Sequence, residues 1–370
     1  MKILCDKTSL MEAVGNVQRA VSVKSTIPAL EGILLRADEG TQGGALLLTG
    51  YDLEIGITTA VPATVTAPGD IVLPARLFGD IVRRLPADEV TLETGSNHEV
   101  KIASGDARFA ILGLPADEYP VLPAVGDGVR VTVPQQVLKG MIRQTLFAVA
   151  KTDARPVHTG TLFELSADTL RLVSVDGTRL AIRTETIQNG EETSFVVPGK
   201  TLAEVLKLLR DTEDELTISA GKRHLILTID GYSVISRLLD GEFLPYRKAI
   251  PATAGTVLRL NTREWTEAVE RTALVIHDRL KSPLVCRFED GFVHMTCTTT
   301  LGSVSDRVPA AIEGDGGEMG FNCQYLLDAL KNAECDEVRV ELSGATAPMK
   351  ILPPEGEGFL FLVLPVRLKR

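Results

Sequence analysis

The sequence predicts an α+β protein made of three copies of one domain, each with two helices packed on antiparallel sheets. Two observations carry this. The first is self-similarity at a step of about 124 residues: LPARLFGDIVRRL from Leu73, VPGKTLAEVLKLL from Val197 and FNCQYLLDALKNA from Phe321. Apolar (Phe78, Leu202, Leu326), acidic (Asp80, Glu204, Asp328) and basic (Arg83, Lys207, Lys331) columns all agree. The second is composition. The chain has 370 residues, 44% of them hydrophobic and 5% aromatic, so it exceeds one ordinary domain and its cores are expected to be aliphatic. A period near 125 residues is also far longer than the roughly 20–50 residues of solenoid units.

Each copy opens with a strand and a helix: MKILCDKTSLMEAVGNVQRA, VRVTVPQQVLKGMIRQTLFAVA and VLRLNTREWTEAVERTALVI. Next comes a strand-rich stretch. LLLTGYDLEIGI (46–57) aligns with LRLVSVDGTRLAI (170–182), placing Asp52 on Asp176, and the third version is the weaker FVHMTCTTT (292–300). The second helix follows, with apolar residues at i, i+3 and i+4, and Pro74 and Pro198 suit its start. FAILGLP (109–115), VISRLLD (234–240) and FLFLVLP (359–365) close the copies. Alternation at Thr217-Ile218-Ser219 and Leu225-Ile226-Leu227 marks half-buried antiparallel strands. The expected domains are 1–125, 126–251 and 252–370, joined near Ala124–Gly128 and Pro251–Gly255.

Gly199-Lys200-Thr201 looks like the end of a phosphate-binding loop. Such a loop needs a glycine five positions before Gly199, and Ser194 stands there. The intervening FVVP suits a buried strand, so the tripeptide is expected to open a helix of the repeat. No other catalytic motif is visible. His98, His158, His224, His277 and His294 form no metal-ligand spacing. His294 and Cys297 are expected on opposite faces of a strand. The acid pair Asp52 and Glu54, and the run from Asp211 to Glu215, read as solvated turns. The cysteines are Cys5, Cys286, Cys297, Cys323 and Cys335: an odd number, widely spaced, read as reduced core residues of a cytoplasmic protein. The apolar run FLFLVLPV (359–366) is too short to span a membrane, and the N-terminus does not read as a secretory signal. The expectation is a binding protein with no catalytic residues, no metal and no cofactor. The rival readings are an ATP-using or hydrolytic enzyme centred on Lys200 and a repeat scaffold with no nucleic-acid role.

The net charge is −10. The six predicted helical stretches carry +6 together, leaving −16 for the rest. Basic helices on an acidic chain are the footprint of a phosphate-facing layer. Lys and Arg are also good helix formers, so solvated helix faces explain the same bias.

TGYDLE (49–54), DGTRLA (176–181), VPGK (197–200), LDGEFLPYR (239–247), GFN before YLLDAL (320–330) and VLPVRL (363–368), in this order on a threefold repeat, resemble the bacterial sliding clamp family, the beta subunit of DNA polymerase III. The resemblance covers the whole chain. It implies a head-to-tail homodimer closing a six-domain ring, helices inside, sheets outside. Such a ring encircles duplex DNA without regard to sequence and acts as a processivity factor for the replicative polymerase.

The resemblance also implies a pocket between the second and third domains for QLxLF-type peptides of the polymerase, the clamp loader and repair proteins. Matching positions are His158, Val175, Thr178, Arg179, Leu180, Leu244, Pro245, Lys248, Tyr325, Leu362, Leu364 and Val366. Leu180, Leu362, Leu364 and Val366 are expected to form the apolar hole, with Arg179 and Lys248 at its rim. Phe243-Leu244-Pro245-Tyr246 departs from the family's frequent Phe-Pro-Asp-Tyr, and Lys369-Arg370 extends beyond the usual terminal Arg-Leu. Lys24 and Lys200 match DNA-contact positions. Helix position and charge add Arg76, Arg83, Lys139, Arg143, Lys207 and Arg210. Pro156-Val157 replaces a pair of aromatics that some members use against DNA. The ring join is implied at Phe109 and Ile111 on one side and Leu274 and Val275 on the other.

Overall fold

The computed structural model describes residues 1–39, 44–126, 128–152, 154–188, 191–276 and 282–368. Six α-helices lie among them: α1 (Lys7–Val17), α2 (Ala75–Arg84), α3 (Gln135–Leu146), α4 (Gly199–Leu208), α5 (Thr262–Ala273) and α6 (Cys323–Lys331). They fall two to a copy, after the expected strands. Local chemistry starts them. Asp6 accepts the Ser9 amide at 2.7 Å ahead of α1, Asn261 the Glu264 amide at 2.9 Å ahead of α5, and Asn322 the Gln324 amide at 2.9 Å ahead of α6. Pro74 is the cap residue of α2, where no amide hydrogen is needed. In α2, Phe78, Ile81 and Val82 are buried while Arg76, Arg83 and Arg84 face solvent.

Two helices end sooner than the stretches 134–151 and 200–210 that the sequence predicts. Lys151 lies past α3 and Arg210 past α4. The helices proper therefore carry +4, a smaller surplus than the +6 of the predicted stretches.

The chain forms two compact units, Met1–Gln136 with Ala203–Leu238, and Val137–Leu202 with Leu239–Arg370. The first holds a sheet whose main path runs, by residue range, 107–112, 99–104, 89–94, 2–6, 55–67, 232–237, 224–229, 215–220, 129–134. The long strand Ile55–Ala67 joins copies one and two, pairing Ile55 with Ser236 and Thr59 with Tyr232. The second unit repeats the device. Strand Arg179–Thr186 pairs Arg179 with Val363 and Arg183 with Phe359, in a sheet ordered 193–198, 160–166, 169–175, 179–186, 359–363, 349–352, 337–342, 256–261, 311–314. A four-stranded sheet (302–309, 292–299, 284–289, 317–321) completes it. Trp265, Phe288, Phe321 and Phe361 fill its core with no exposed surface.

The copies agree in hydrogen bonding. Asp52 Oδ1 accepts the amides of Glu54 and Ile55 at 3.0 and 2.8 Å, and Asp176 Oδ1 those of Thr178 and Arg179, both at 3.0 Å. In copy three the hydroxyl of Thr299 accepts the Leu301 amide at 3.1 Å, so threonine replaces the aspartate. After the first two hairpins the partner strand returns the same bond: Arg237 N–H to Glu54 O and Leu364 N–H to Thr178 O, both 2.9 Å.

Gly199 opens α4, and its reason is packing. A Cβ there would meet Val149 Cγ1 at 2.9 Å and Thr159 O at 3.1 Å. The Asp211–Glu215 run is a turn leading into strand Glu215–Ala220, and His294 and Cys297 lie on opposite strand faces. All five cysteines are free thiols. Burial pushes Cys286 up to about 12. Among the described residues, which exclude His277, no group of three His, Cys, Asp or Glu could hold a metal, and no helix is long and apolar enough to cross a membrane.

Candidate peptide pocket and charged helix faces

The apolar part of the expected pocket is built in the second unit. Val175, Leu180 and Leu362 form one buried cluster with Leu162, Val173, Ile182, Val196 and Tyr246, and Leu239, Phe243, Leu244 and Ile250 pack against it. Leu180 and Leu362 are cross-strand partners, which puts them side by side. Leu364 and Val366, 39% and 40% exposed, stand on the surface beyond that floor. The four leucine and valine positions are therefore not one uniform hole: two form a closed floor and two an open wall. The wall is fixed by main-chain bonds, Leu364 N–H to Thr178 O at 2.9 Å and Val366 N–H to Gly320 O at 2.8 Å.

Arg179 departs from its expected rim position. Its side chain is 9% exposed. Nε donates to Asp176 at 2.8 Å, Nη1 donates to Asp328 on α6, and the guanidinium lies 4.6 Å from the Tyr325 ring centroid and 5.6 Å from that of Phe147. Arg179 thus clasps α6 to the hairpin that carries Thr178 and Leu180. Its partner Asp328 belongs to the acidic column of the repeat, and nothing in local sequence reveals that 149-residue link.

Lys248 is exposed, on a short turn Tyr246–Ala249, beside exposed Pro245. His158 is buried, edge-on to Phe243 with ring centroids 6.0 Å apart. Val157, where a DNA-contacting aromatic was discounted, is 3% exposed. Sequence reasoning missed Glu164. This carboxylate accepts the Tyr246 hydroxyl at 2.5 Å and Arg247 Nη2 at 2.8 Å, with Arg171 at 3.7 Å. Burial, then the bond to Glu164, pushes the Tyr246 phenol up to about 12. The only signal was Tyr246 itself, a polar-tipped aromatic in an apolar stretch that needed a buried partner. Lys369 and Arg370 lie outside the described residues.

The eight cations expected to face DNA divide between the units. Lys24 and Arg76 are exposed in the first, and Lys200 is exposed and Lys139 half-buried in the second. Arg83, Lys207, Arg143 and Arg210 sit beside carboxylates. Arg83 Nη1 lies 2.9 Å from Asp80, Lys207 Nζ 2.7 Å from Glu204 and Arg143 Nη1 2.6 Å from Glu334. Arg210 lies 3.5 Å from Asp230 and 3.7 Å from Glu12.

The residues expected at a ring join lie at open sheet edges. Strand Ala107–Leu112 ends the sheet of the first unit and, among the described residues, pairs only with strand Glu99–Ser104, and its Phe109 is 39% and Leu112 70% exposed. Ile111 is half-buried. In the second unit, strand Gly302–Pro309 ends the four-stranded sheet. Leu274 beside it is 83% exposed and Val275 half-buried, and Arg271 ties α5 to Asp306 on that edge at 2.8 Å.

A threefold α+β repeat with antiparallel sheets running across its copies is the architecture of a clamp-type protein. Comparison with known proteins makes this specific. The family models of the DNA polymerase III beta subunit match in order: N-terminal domain at 1–123, central domain at 132–245 and C-terminal domain at 247–367. The chain belongs to this family, the non-catalytic beta sliding clamps. It is 34% identical to the beta sliding clamp of Bacillus subtilis, covering 99% of this chain and all of that one, and 31% identical to that of Staphylococcus aureus over 99% of both. The solved sliding clamp of Bacillus subtilis superposes with a TM-score of 0.95 at 33% identity over the full length of both chains. A sliding clamp of Pseudomonas aeruginosa bound to griselimycin superposes at 0.93 and 28% identity, again over both full lengths.

Proposed function

We propose that two copies of this chain join head to tail into a closed ring around duplex DNA, and that the ring tethers a replicative polymerase through the Leu180–Leu362 pocket. The observation that carries the reading is that each unit has a sheet edge flanked by exposed apolar residues. Phe109 and Ile111 on one copy meet Leu274 and Val275 on the other, the edges Ala107–Leu112 and Gly302–Pro309 pair, and the hazard of unpaired edges disappears. The three domains 1–125, 126–251 and 252–370 then give six per ring. The basic helices, with Lys24, Lys200, Arg76 and Lys139, face the phosphates inside, in the cytoplasm. The pocket takes QLxLF-type peptides of the polymerase, the clamp loader and repair proteins. Their apolar anchors lie on Leu180 and Leu362 against Leu364 and Val366, with His158, Val175 and Leu244 around them and Thr178, Pro245, Lys248 and Tyr325 at the margins. Binding there raises the polymerase's effective concentration at the primer end without any chemistry by the clamp. The test is topological. Loaded on nicked circular DNA, the protein should persist, and it should leave once the circle is cut. Equal retention on linear and circular DNA would refute encirclement.

A further inference from the structure

We infer that the carboxylates beside the helix cations are positioning residues that set how weakly this chain holds DNA. The inference rests on the reading of the helices as DNA-facing. Asp80 with Arg83 and Glu204 with Lys207 are the same i, i+3 pair in copies one and two, at 2.9 and 2.7 Å. Such a pair could exist only to steady its own helix. The third copy argues otherwise. There Asp328, in the same column, is taken by Arg179, and the matching Lys331 pairs at 2.6 Å with Glu270, which lies on α5. The basic column is therefore accompanied by an acid in all three copies, although the acid comes from a different helix in the third. Arg143 does the same with Glu334 at 2.6 Å.

These cations still reach water: the side chains of Arg83, Lys207 and Arg143 are 54%, 52% and 46% exposed. Each could touch a phosphate only while an acid stands within about 3 Å, well inside the Debye length of about 10 Å at 0.1 M salt. The phosphate then meets a near-neutral pair, and little counterion release follows. Affinity depends steeply on the number of neutralised phosphates, so pairing lowers it while leaving the donors in place for brief contacts. For a ring that must travel along DNA, topology holds it on and the paired cations keep it from sticking.

The test measures binding of the intact protein to a labelled linear duplex across a salt series. One variant combines Asp80→Asn with Glu204→Gln, and another Arg83→Gln with Lys207→Gln. The acid variant should bind tighter, by up to about eightfold per recovered contact at 0.1 M salt, and its slope of log affinity against log salt should steepen by up to about 0.9 per contact. The cation variant should bind more weakly. A weaker cation variant with an unchanged acid variant overturns the inference and leaves the DNA-facing reading standing. No change in either removes both. A lower melting temperature of the acid variant with no steeper slope would assign the carboxylates to helix stability alone and also overturn it.

Discussion

Leu53 and Gly177 hold the same seat, one residue after the turn aspartates Asp52 and Asp176. Both have positive φ, 75° and 87°. Glycine takes that conformation freely, whereas an L side chain is charged about 1–2 kcal/mol for it. The Leu53 side chain is 47% exposed and recovers little of that by burial. Leu53→Gly should therefore raise unfolding free energy by about 1 kcal/mol, and Gly177→Ala should lower it by a similar amount, since a Cβ at Gly177 meets nothing within 4 Å and only the backbone term remains. Chemical denaturation of both variants checks the pair, and opposite signs are the required result. At this scale the sequence was partly legible. The alignment of Asp52 with Asp176 showed through because the same turn needs the same acceptor. The third turn was faint because a Thr299 hydroxyl serves instead. Arg179 was misplaced at the rim because charge in a sequence reads as exposure, and its partner on α6 is remote in the chain.

The last strand and the clasp on α6 are where the energetics of the proposed pocket lie. Leu364 is a surface residue whose backbone, not its side chain, holds the sheet. Leu364→Asp should abolish binding of a QLxLF-type peptide, followed by fluorescence titration, with melting close to that of the unaltered chain. Arg179→Ala should behave differently. It removes the cation from one oxygen each of Asp176 and Asp328, 13% and 25% exposed, while their other oxygens keep the Thr178 and Gln324 donors. About 3 kcal/mol of stability should be lost, the low end for breaking a buried ion pair, and Arg179→Lys should not restore it because an ammonium lacks the planar fork whose Nε and Nη1 point at the two carboxylates separately and stack on Tyr325. Helices and their starts were legible from periodicity and caps. Their ends at Leu146 and Leu208 were not, since basic residues continue past both without a change of pattern. The Glu164 network was hidden for the same reason as the clasp: burial, not spacing, makes it.

Over the whole chain, the threefold period was fully legible, because three copies must solve the same packing problem with the same columns. The grouping into two units was not. It arises where Ile55–Ala67 and Arg179–Thr186 carry sheets across the copy boundaries, and hydrogen bonds between distant strands leave no periodic mark. Exposed edges were anticipated from the resemblance at Phe109, yet Leu112 in its strand and Leu301 in the turn after 292–299, 70% and 68% exposed, were missed because apolar residues in strand-rich stretches read as core. Phe109→Asp should convert the assembly to single chains in sedimentation velocity. A charge on that edge opposes strand addition, and its exposed position spares the fold.

Strand Phe359–Val363 has a consequence in time as well as in space. It is the neighbour of both Arg179–Thr186 and Met349–Leu352, so it joins strands made just before it to strands made more than 150 residues earlier. While the ribosome is still reading the message, Arg179–Thr186 has no cover on that side. The second unit can close only once Phe359–Val363 has been made, and a chain halted before that strand would leave the flank bare and prone to pairing with another nascent copy.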